Sequence, residues 1–196
     1  MNAIHIKPDK VARIYRILLS TDNRERTWYE IAKEASVAYG WAHTVLKKLE
    51  KEEIIKRGKV LEPATLFQIW ASRRDTRIYR EYHLQNPEKT IKSSKMRYAL
   101  TGSVAENSIG SYLFPRSHNI YILATDADKW NDIMTRRGYV GAGNVRIMID
   151  DTHVFYQMKK IAGWPTVSPQ QLIVDLIREG AECGEAAELL IKRYYR

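Results

Sequence analysis

Aromatic, hydrogen-bonding and basic residues are concentrated between positions 36 and 59 of the sequence. These residue types suit a nucleic acid, because imidazole and hydroxyl groups can hydrogen-bond to base edges and cationic side chains can neutralise phosphates. Aromatic rings can contact thymine methyl groups or the sugar wall of a groove. The candidate DNA-binding residues are Ser36, Tyr39, Gly40, Trp41, His43, Thr44, Lys47, Lys48, Lys56, Arg57 and Lys59. Among them, His43 and Thr44 are the candidates for base contacts, and the cations are the candidates for phosphate contacts.

Two predicted helices and a hairpin position these residues. Thr27 and Glu30 form a capping box at the start of one helix, and Ser36 is the predicted N-cap of the next. The buried stripe of that second helix, at helical spacing, is Ala42, Val45, Leu46 and Leu49. Residues 54–61 then predict two short strands around a basic turn. A packing helix, a groove-entering helix and a basic hairpin together predict a winged helix-turn-helix.

The rest of the chain divides into a basic connector and a mixed domain. A first helix over 9–20, capped near Pro8-Asp9, completes a winged helix-turn-helix DNA-binding domain at 1–62. Residues 63–97 form a basic helical connector, helical over 64–83, and residues 98–196 form an α/β regulatory or interaction domain. The connector's cations either cover a solvated face or lie along phosphates, and the pattern leaves both open.

The predicted mixed domain alternates strands and helices. The strands are 98–102, 119–124, 144–149 and 153–156, with Asp150-Asp151 as a hairpin turn between the last two. The helices are 103–112, 125–137, 168–180 and 184–195. Ser168 and Gln171 form a second predicted capping box, with Pro169 at the first helical position. The predicted fold class is therefore α+β.

Charge is distributed unevenly over the 196 residues. Residues 1–100 hold 21 Lys and Arg against 12 Asp and Glu, whereas residues 101–196 hold 11 of each. The net charge of +9 therefore lies in the half that contains the helix-turn-helix pattern, and this favours a polyanion such as double-stranded DNA. An acidic membrane surface is the weaker alternative, because no basic amphipathic helix with aromatic anchors is evident.

The sequence features that bear on cellular location favour the cytoplasm. The chain has no apolar run of about 18 residues that would predict a membrane helix, and its first residues lack the apolar segment of a secretory signal. A single cysteine, Cys183, fits a reducing compartment and is predicted to be a half-buried helical residue.

The residues of the second half do not complete a catalytic pattern. Gly102-Ser103, between a strand and a helix, resembles the phosphate-binding turn of nucleotidyltransferases, which place a carboxylate pair on the next strand to hold Mg²⁺. The next strand has no carboxylate, and Asp126 and Asp128 lie beyond it. The histidines lack zinc-ligand spacing. We therefore expect no enzyme activity, no metal and no cofactor.

Several segments carry a resemblance to a known family. They are LEPATLFQIWASRRD, YALTGSVAENSIGSYLFP, NIYILATD, NVRIMIDDTHVFY and VSPQQLIVDLIREGAECGEAAELLIKRYY. Together with the winged-helix pattern, they resemble the AbiEi-like antitoxin and transcriptional-regulator family of type IV toxin–antitoxin systems. The resemblance implies a second domain shaped like a catalytically degenerate nucleotidyltransferase. It also implies repression from an operator upstream of the protein's own gene, and a nucleotidyltransferase-type toxin as functional partner.

The sequence therefore predicts a cytoplasmic, sequence-specific DNA-binding regulator that represses its own gene and has an antitoxin role. A homodimer on its own operator is a further expectation. Two alternatives stay open: a nucleotidyltransferase-type enzyme acting on nucleic acid, and a protein-interaction adaptor that uses helices 168–196 as a partner surface.

Overall fold

The computed structural model describes residues 6–22, 24–73 and 78–195, and it has a mixed α+β architecture with 51% helix and 17% strand. Its elements in chain order are α1 Lys10–Leu18, α2 Trp28–Glu34, α3 Tyr39–Lys51, β1 Ile55–Lys56, β2 Lys59–Val60, α4 Pro63–Ala71, β3 Ile78–Leu84, α5 Pro87–Ser93, β4 Tyr98–Thr101, α6 Gly102–Ile109, β5 His118–Ile122, α7 Ala127–Thr135, β6 Gly138–Val140, β7 Val145–Ile149, β8 Lys159–Ile161, β9 Trp164–Thr166, α8 Pro169–Glu179 and α9 Ala181–Tyr194. Short 3-10 turns occupy Ala124–Asp126 and Thr152–Phe155. Within the described ranges, no helix is both long and apolar enough to cross a membrane.

The chain forms two compact units. One unit comprises the described residues within Asp9–Arg73 and Pro169–Arg196, and the other comprises those within Met1–Pro8 and Arg74–Ser168. The first, which we call the helical unit, contains α1–α4, the hairpin β1–β2, α8 and α9. The second, which we call the sheet unit, contains β3–β9 and α5–α7.

The starts of α1 and α2 are as predicted. The Asp9 carboxylate accepts hydrogen bonds from the backbone N–H groups of Val11 at 3.0 Å and Ala12 at 3.1 Å. Thr27 and Glu30 form the reciprocal capping box, with the Glu30 N–H donating to the Thr27 hydroxyl and the Thr27 N–H donating to the Glu30 carboxylate. Both caps use groups within three residues of each other, so the local sequence determines them.

The predicted N-cap role of Ser36 is wrong. Ser36 has a left-handed backbone with φ of 54°, and its N–H donates to the Lys33 carbonyl while the Val37 N–H donates to the Ala32 carbonyl. This bond pair is the Schellman arrangement, so Ser36 ends α2 and does not start α3. Helix α3 begins at Tyr39 after Ala38, which makes no side-chain capping bond.

The predicted hairpin is present. Strands β1 and β2 pair antiparallel, with Ile55 opposite Val60 and Lys56 opposite Lys59. The two turn residues, Arg57 and Gly58, have φ of 50° and 84°. Positive φ at both positions characterises the type I′ turn, whose twist matches that of two antiparallel strands.

The continuous helix predicted over 64–83 is wrong. Helix α4 ends at Ala71, residues 74–77 of the prediction lie outside the described residues, and Ile78–Leu84 is strand β3. Strand β3 pairs antiparallel with both β6 and β7. Hydrogen bonding to distant strands on both sides therefore decides its conformation, and residues 63–97 do not form one helical connector.

The sheet unit is built on a seven-stranded mixed sheet in the order β6-β3-β7-β5-β4-β9-β8. Strand β5 is parallel to β7, β4 is parallel to β9, and the other neighbouring pairs are antiparallel. The strands predicted near residues 98, 119 and 144 are β4, β5 and β7. The strand predicted at 153–156 is wrong: Asp151 accepts a hydrogen bond from the His153 N–H at 3.1 Å and opens a 3-10 turn there, so Asp150-Asp151 is no hairpin turn.

Helices α8 and α9 belong to the helical unit, which differs from the predicted grouping of 168–196 with the sheet. Helix α8 packs on α4 and α9. The buried Arg16 guanidinium of α1 donates to the Gln171 side-chain oxygen at 2.7 and 2.9 Å, and Gln171 donates to Asp175 at 3.0 Å. The predicted Ser168 capping box does not form, because the Ser168 hydroxyl is buried without a hydrogen-bond partner among the described residues.

Candidate nucleic-acid interface

Helix α3 has a buried face and an exposed face. Ala42, Leu46 and Leu49 are buried, and Val45 is half-buried. The helix therefore presents its other face to solvent, and the exposed residues there are Tyr39, Gly40, Trp41, Thr44, Lys47 and Lys48. His43 is half-buried at the margin of that face. The structure thus brings together on one surface the α3 residues that the sequence singled out, whereas exposed Ser36 lies before the helix, in the turn after α2.

The hairpin holds three further cations in solvent. Lys56, Arg57 and Lys59 are all exposed, and Lys56 lies directly opposite Lys59 across the strand pair. Two like charges in this position repel each other, so the hairpin is less stable alone than beside an anion. The Glu50 carboxylate of α3 accepts a hydrogen bond from the Arg57 N–H at 2.9 Å and joins the hairpin to the helix.

Few acidic groups neutralise this surface. Lys48 lies 3.9 Å from the Glu52 carboxylate in a solvent-exposed pair, which contributes little stability. Over the described ranges, no acidic side chain forms an ion pair with Lys47 or with the three hairpin cations. In α2 and the loop before it, Arg26, whose side chain is 6% exposed, binds Asp22 and Glu34. The hydrogen bond from Arg26 holds the pKa of the Asp22 carboxyl well below its usual range.

An aromatic cluster borders the start of α3. The ring centroids of Tyr29 and Tyr39 are 6.3 Å apart, those of Tyr39 and His43 are 6.0 Å apart, and those of His43 and Trp28 are 5.2 Å apart. Tyr29 is 65% exposed. Sequence reasoning did not include Trp28 and Tyr29, although Tyr29 lies in the first turn of α2 on the side away from the buried Ile31, which was a signal that could have identified it.

Hydrogen bonding changes what two of the predicted contacts can offer. The Thr44 hydroxyl donates to the Gly40 carbonyl at 3.0 Å, so its proton is committed to the helix backbone. Thr44 can then offer a base edge only its oxygen lone pair and its methyl group. The exposed first turn of α3 has no side-chain cap, and its backbone N–H groups form the positive end of the helix dipole.

The sheet unit places the Gly102-Ser103 turn at the start of α6. Gly102 has φ of 69°, and a Cβ there would lie 2.7 Å from the Asn119 side-chain nitrogen, so close approach of β5 accounts for this glycine. The Ser103 hydroxyl accepts a hydrogen bond from the Arg116 N–H at 3.2 Å. Among the residues with described positions, no group of three or more His, Cys, Asp or Glu side chains could hold a metal ion.

No protein-family model, curated protein or solved structure matches this chain. The resemblance to AbiEi-like regulators therefore stays a prediction from the sequence segments.

Proposed function

We propose that the protein is a sequence-specific regulator that binds double-stranded DNA through the exposed face of α3 and the β1–β2 hairpin. The observation that carries this proposal is the continuity of that surface. An exposed helical face bearing aromatic, hydrogen-bonding and cationic groups is joined to the hairpin by the bond between Glu50 and the Arg57 N–H, and among the described residues no acidic side chain forms an ion pair with the hairpin cations. Polar and aromatic groups can approach base edges while cations contact phosphates on either side.

In this proposal, residues 9–62 act as a winged helix-turn-helix. Helix α3 enters the major groove with its first two turns at the bases, and the hairpin touches the adjacent backbone. His43 and the lone pair of Thr44 contact base edges, whereas Lys47, Lys48, Lys56, Arg57 and Lys59 contact phosphates. The like-charged pair Lys56 and Lys59 favours this docking, because a phosphate between the two ammonium groups relieves their repulsion.

The biological role that fits this chemistry is repression of the protein's own gene in the cytoplasm. The AbiEi-like segments support an antitoxin role with a nucleotidyltransferase-type toxin, and a degenerate nucleotidyltransferase-like sheet unit. The Gly102-Ser103 turn is compatible with that fold, and the lack of a carboxylate on β5 is compatible with its degeneracy. A homodimer would place two α3 helices about 34–36 Å apart on an operator of two half-sites.

Fluorescence anisotropy tests the binding proposal. The full chain is titrated against the DNA upstream of its own gene and against a scrambled duplex, at several salt concentrations. We expect tighter binding to the upstream DNA by about 10³-fold or more. Equal affinity for the two duplexes would refute sequence-specific regulation.

Lysine variants test the docking surface. Lys56→Ala and Lys59→Ala should weaken binding to both duplexes, and each should reduce the slope of log K against log salt by about 0.9. Lys129→Ala is the matched control, because Lys129 is 74% exposed in α7 of the sheet unit. An unchanged slope in the hairpin variants would remove the hairpin from the interface. Light scattering with and without DNA measures the stoichiometry.

A further inference from the structure

Trp28, the first residue of α2, lies between the two parts of the proposed DNA interface. On one side, its ring centroid is 5.2 Å from that of His43 in α3, and the angle between the two ring planes is 69°. On the other side, a Cβ built on Gly58 in the hairpin turn would lie 3.6 Å from Cδ1 of Trp28. The half-buried indole is therefore next to both α3 and the hairpin turn.

The hairpin turn is held against the start of α2. A Cβ on Gly58 would lie 2.8 Å from the Arg26 carbonyl oxygen, so the turn can approach α2 this closely because residue 58 has no side chain. A hydrogen bond holds the same turn to α3, since the Arg57 N–H donates to the Glu50 carboxylate at 2.9 Å. Arg57 precedes Gly58 directly, so the phosphate contact proposed for Arg57 begins one residue away from the glycine beside the indole.

The backbone on both sides of Trp28 is fixed. Thr27 and Glu30 form the capping box that holds the first turn of α2. On the other side, two carboxylates bind the side chain of Arg26. A tryptophan side chain has two rotatable bonds and a rigid ring, so it provides contact area at a low cost in conformational entropy. The indole is therefore a rigid spacer between His43 and the hairpin turn.

His43 is the residue whose function depends on this spacer. It is the proposed donor or acceptor to a base edge, and a hydrogen bond weakens steeply when its angle departs from linearity. The Tyr39 ring also lies beside the imidazole, with centroids 6.0 Å apart, but Tyr39 belongs to α3 itself. Trp28 reaches His43 from α2, so it relates the imidazole to the elements around α3.

We propose that Trp28 is a positioning residue for DNA recognition, which fixes the His43 imidazole relative to the hairpin turn so that one docking makes both base and phosphate contacts. This inference rests on the proposed DNA-binding function and assigns part of its sequence preference to a residue that acts through His43. Without the indole, the hairpin cations still contact phosphates, and those contacts do not distinguish sequences. Loss of Trp28 should therefore reduce discrimination between duplexes.

A double-mutant cycle tests the proposal. Fluorescence anisotropy gives the ratio of affinities for the upstream and scrambled duplexes in the full chain, in Trp28→Ala, in His43→Ala and in the double variant. This ratio does not depend on the folded fraction of a preparation, so a merely structural role leaves it unchanged. We expect Trp28→Ala to lower the ratio by roughly 2- to 13-fold, the range that an aromatic pair contributes. It should have no further effect once residue 43 is alanine. Additive effects of the two substitutions would overturn the proposal, and so would an unchanged ratio in Trp28→Ala.

Ile31→Val is the matched control for lost stability. The Ile31 Cδ1 atom also lies 3.6 Å from a Cβ built on Gly58, but Ile31 has no ring to hold His43. The control should lower Tm and preserve the ratio of affinities.

Two further variants keep the test decisive if Trp28→Ala does not fold. Trp28→Phe retains a ring and should recover most of the ratio, whereas Trp28→Leu fills the space without a ring and should lower it. A wild-type ratio in Trp28→Leu would overturn the positioning role alone. Equal affinity of the unmodified chain for the two duplexes would overturn the proposed function, so the two failures are distinguishable.

Discussion

Replacing Gly40 with alanine is expected to stabilise the protein and to weaken its specific DNA binding. Beyond its two chain neighbours and the helix backbone, the new methyl group meets no described atom within 4 Å in the free protein, so it creates no tertiary clash. It also lowers the conformational entropy of the unfolded chain and improves helix propensity, and together these effects contribute about 0.5–1 kcal/mol. For a chain of 150–250 residues, 1 kcal/mol corresponds to roughly 2–4 °C in Tm.

The same methyl group projects from the exposed face of α3 that we propose to contact DNA. Docked DNA must then withdraw from that position, and overpacking of a close-fitting contact costs about 1–3 kcal/mol. That cost corresponds to a loss of roughly 5- to 150-fold in affinity. Stability and function should therefore change in opposite directions after a single substitution.

Thermal denaturation followed by circular dichroism measures the first effect, and fluorescence anisotropy on the upstream duplex measures the second. Gly184→Ala is the matched control, because Gly184 lies in α9 and its Cβ would also meet no atom within 4 Å. The control should raise Tm and leave DNA affinity unchanged. If Gly40→Ala lowers Tm, the fold requires this glycine; if it leaves affinity at the wild-type value, the position of Gly40 does not lie against DNA.

Three further predictions concern the fold that supports the site. Gly58→Ala should destabilise the protein by more than Gly180→Ala in urea denaturation: both positions have positive φ, but only the first Cβ would meet a backbone oxygen, at 2.8 Å. Equal losses of stability in the two variants would show that the positive φ alone, and not the contact with the backbone oxygen, determines the effect. Because Arg26 depresses the folded-state pKa of Asp22, their interaction stabilises the protein above about pH 4 and is lost as the pH falls below it. Asp22→Asn should therefore be less stable than wild type at pH 7, and urea titrations should show this difference shrinking in acid; a pH-independent difference would contradict the ion-pair explanation. Truncation after Ser168 removes α8 and α9, and it should abolish the helical circular dichroism and the DNA binding of the remaining helical unit; a folded, DNA-binding fragment would contradict this.

The sequence alone determined the features that depend on neighbouring residues. The caps at Asp9 and Thr27 form between groups within three residues, so their residue types were sufficient to predict them. The stripe of Ala42, Leu46 and Leu49 has the period of a helix, and this period also identified the exposed face of α3. The turn between β1 and β2 contains Gly58, which adopts positive φ without the steric cost that other residues carry.

Tertiary structure decided the features that depend on distant partners. Ile78–Leu84 became strand β3 because β6 and β7 hydrogen-bond to it from more than 50 residues away. Helices α8 and α9 belong to the helical unit because both pack on α4 and on each other, and Arg16 and Gln171, which are 155 residues apart, form a buried hydrogen bond. No local pattern encodes either pairing, because a chain position specifies its own propensity and not the identity of the group that will lie against it.

At the candidate interface, too, some features could be predicted from the sequence and others depended on the tertiary structure. Residue types and helical period placed the polar and basic groups on one face of α3, yet the sequence could not show that the Thr44 proton is committed to Gly40 or that Tyr29 lies against Tyr39. It could not show, either, that Gly40 has room for a side chain it does not carry. Free space and ring contacts arise only when separate elements pack, so the three-dimensional arrangement decided them.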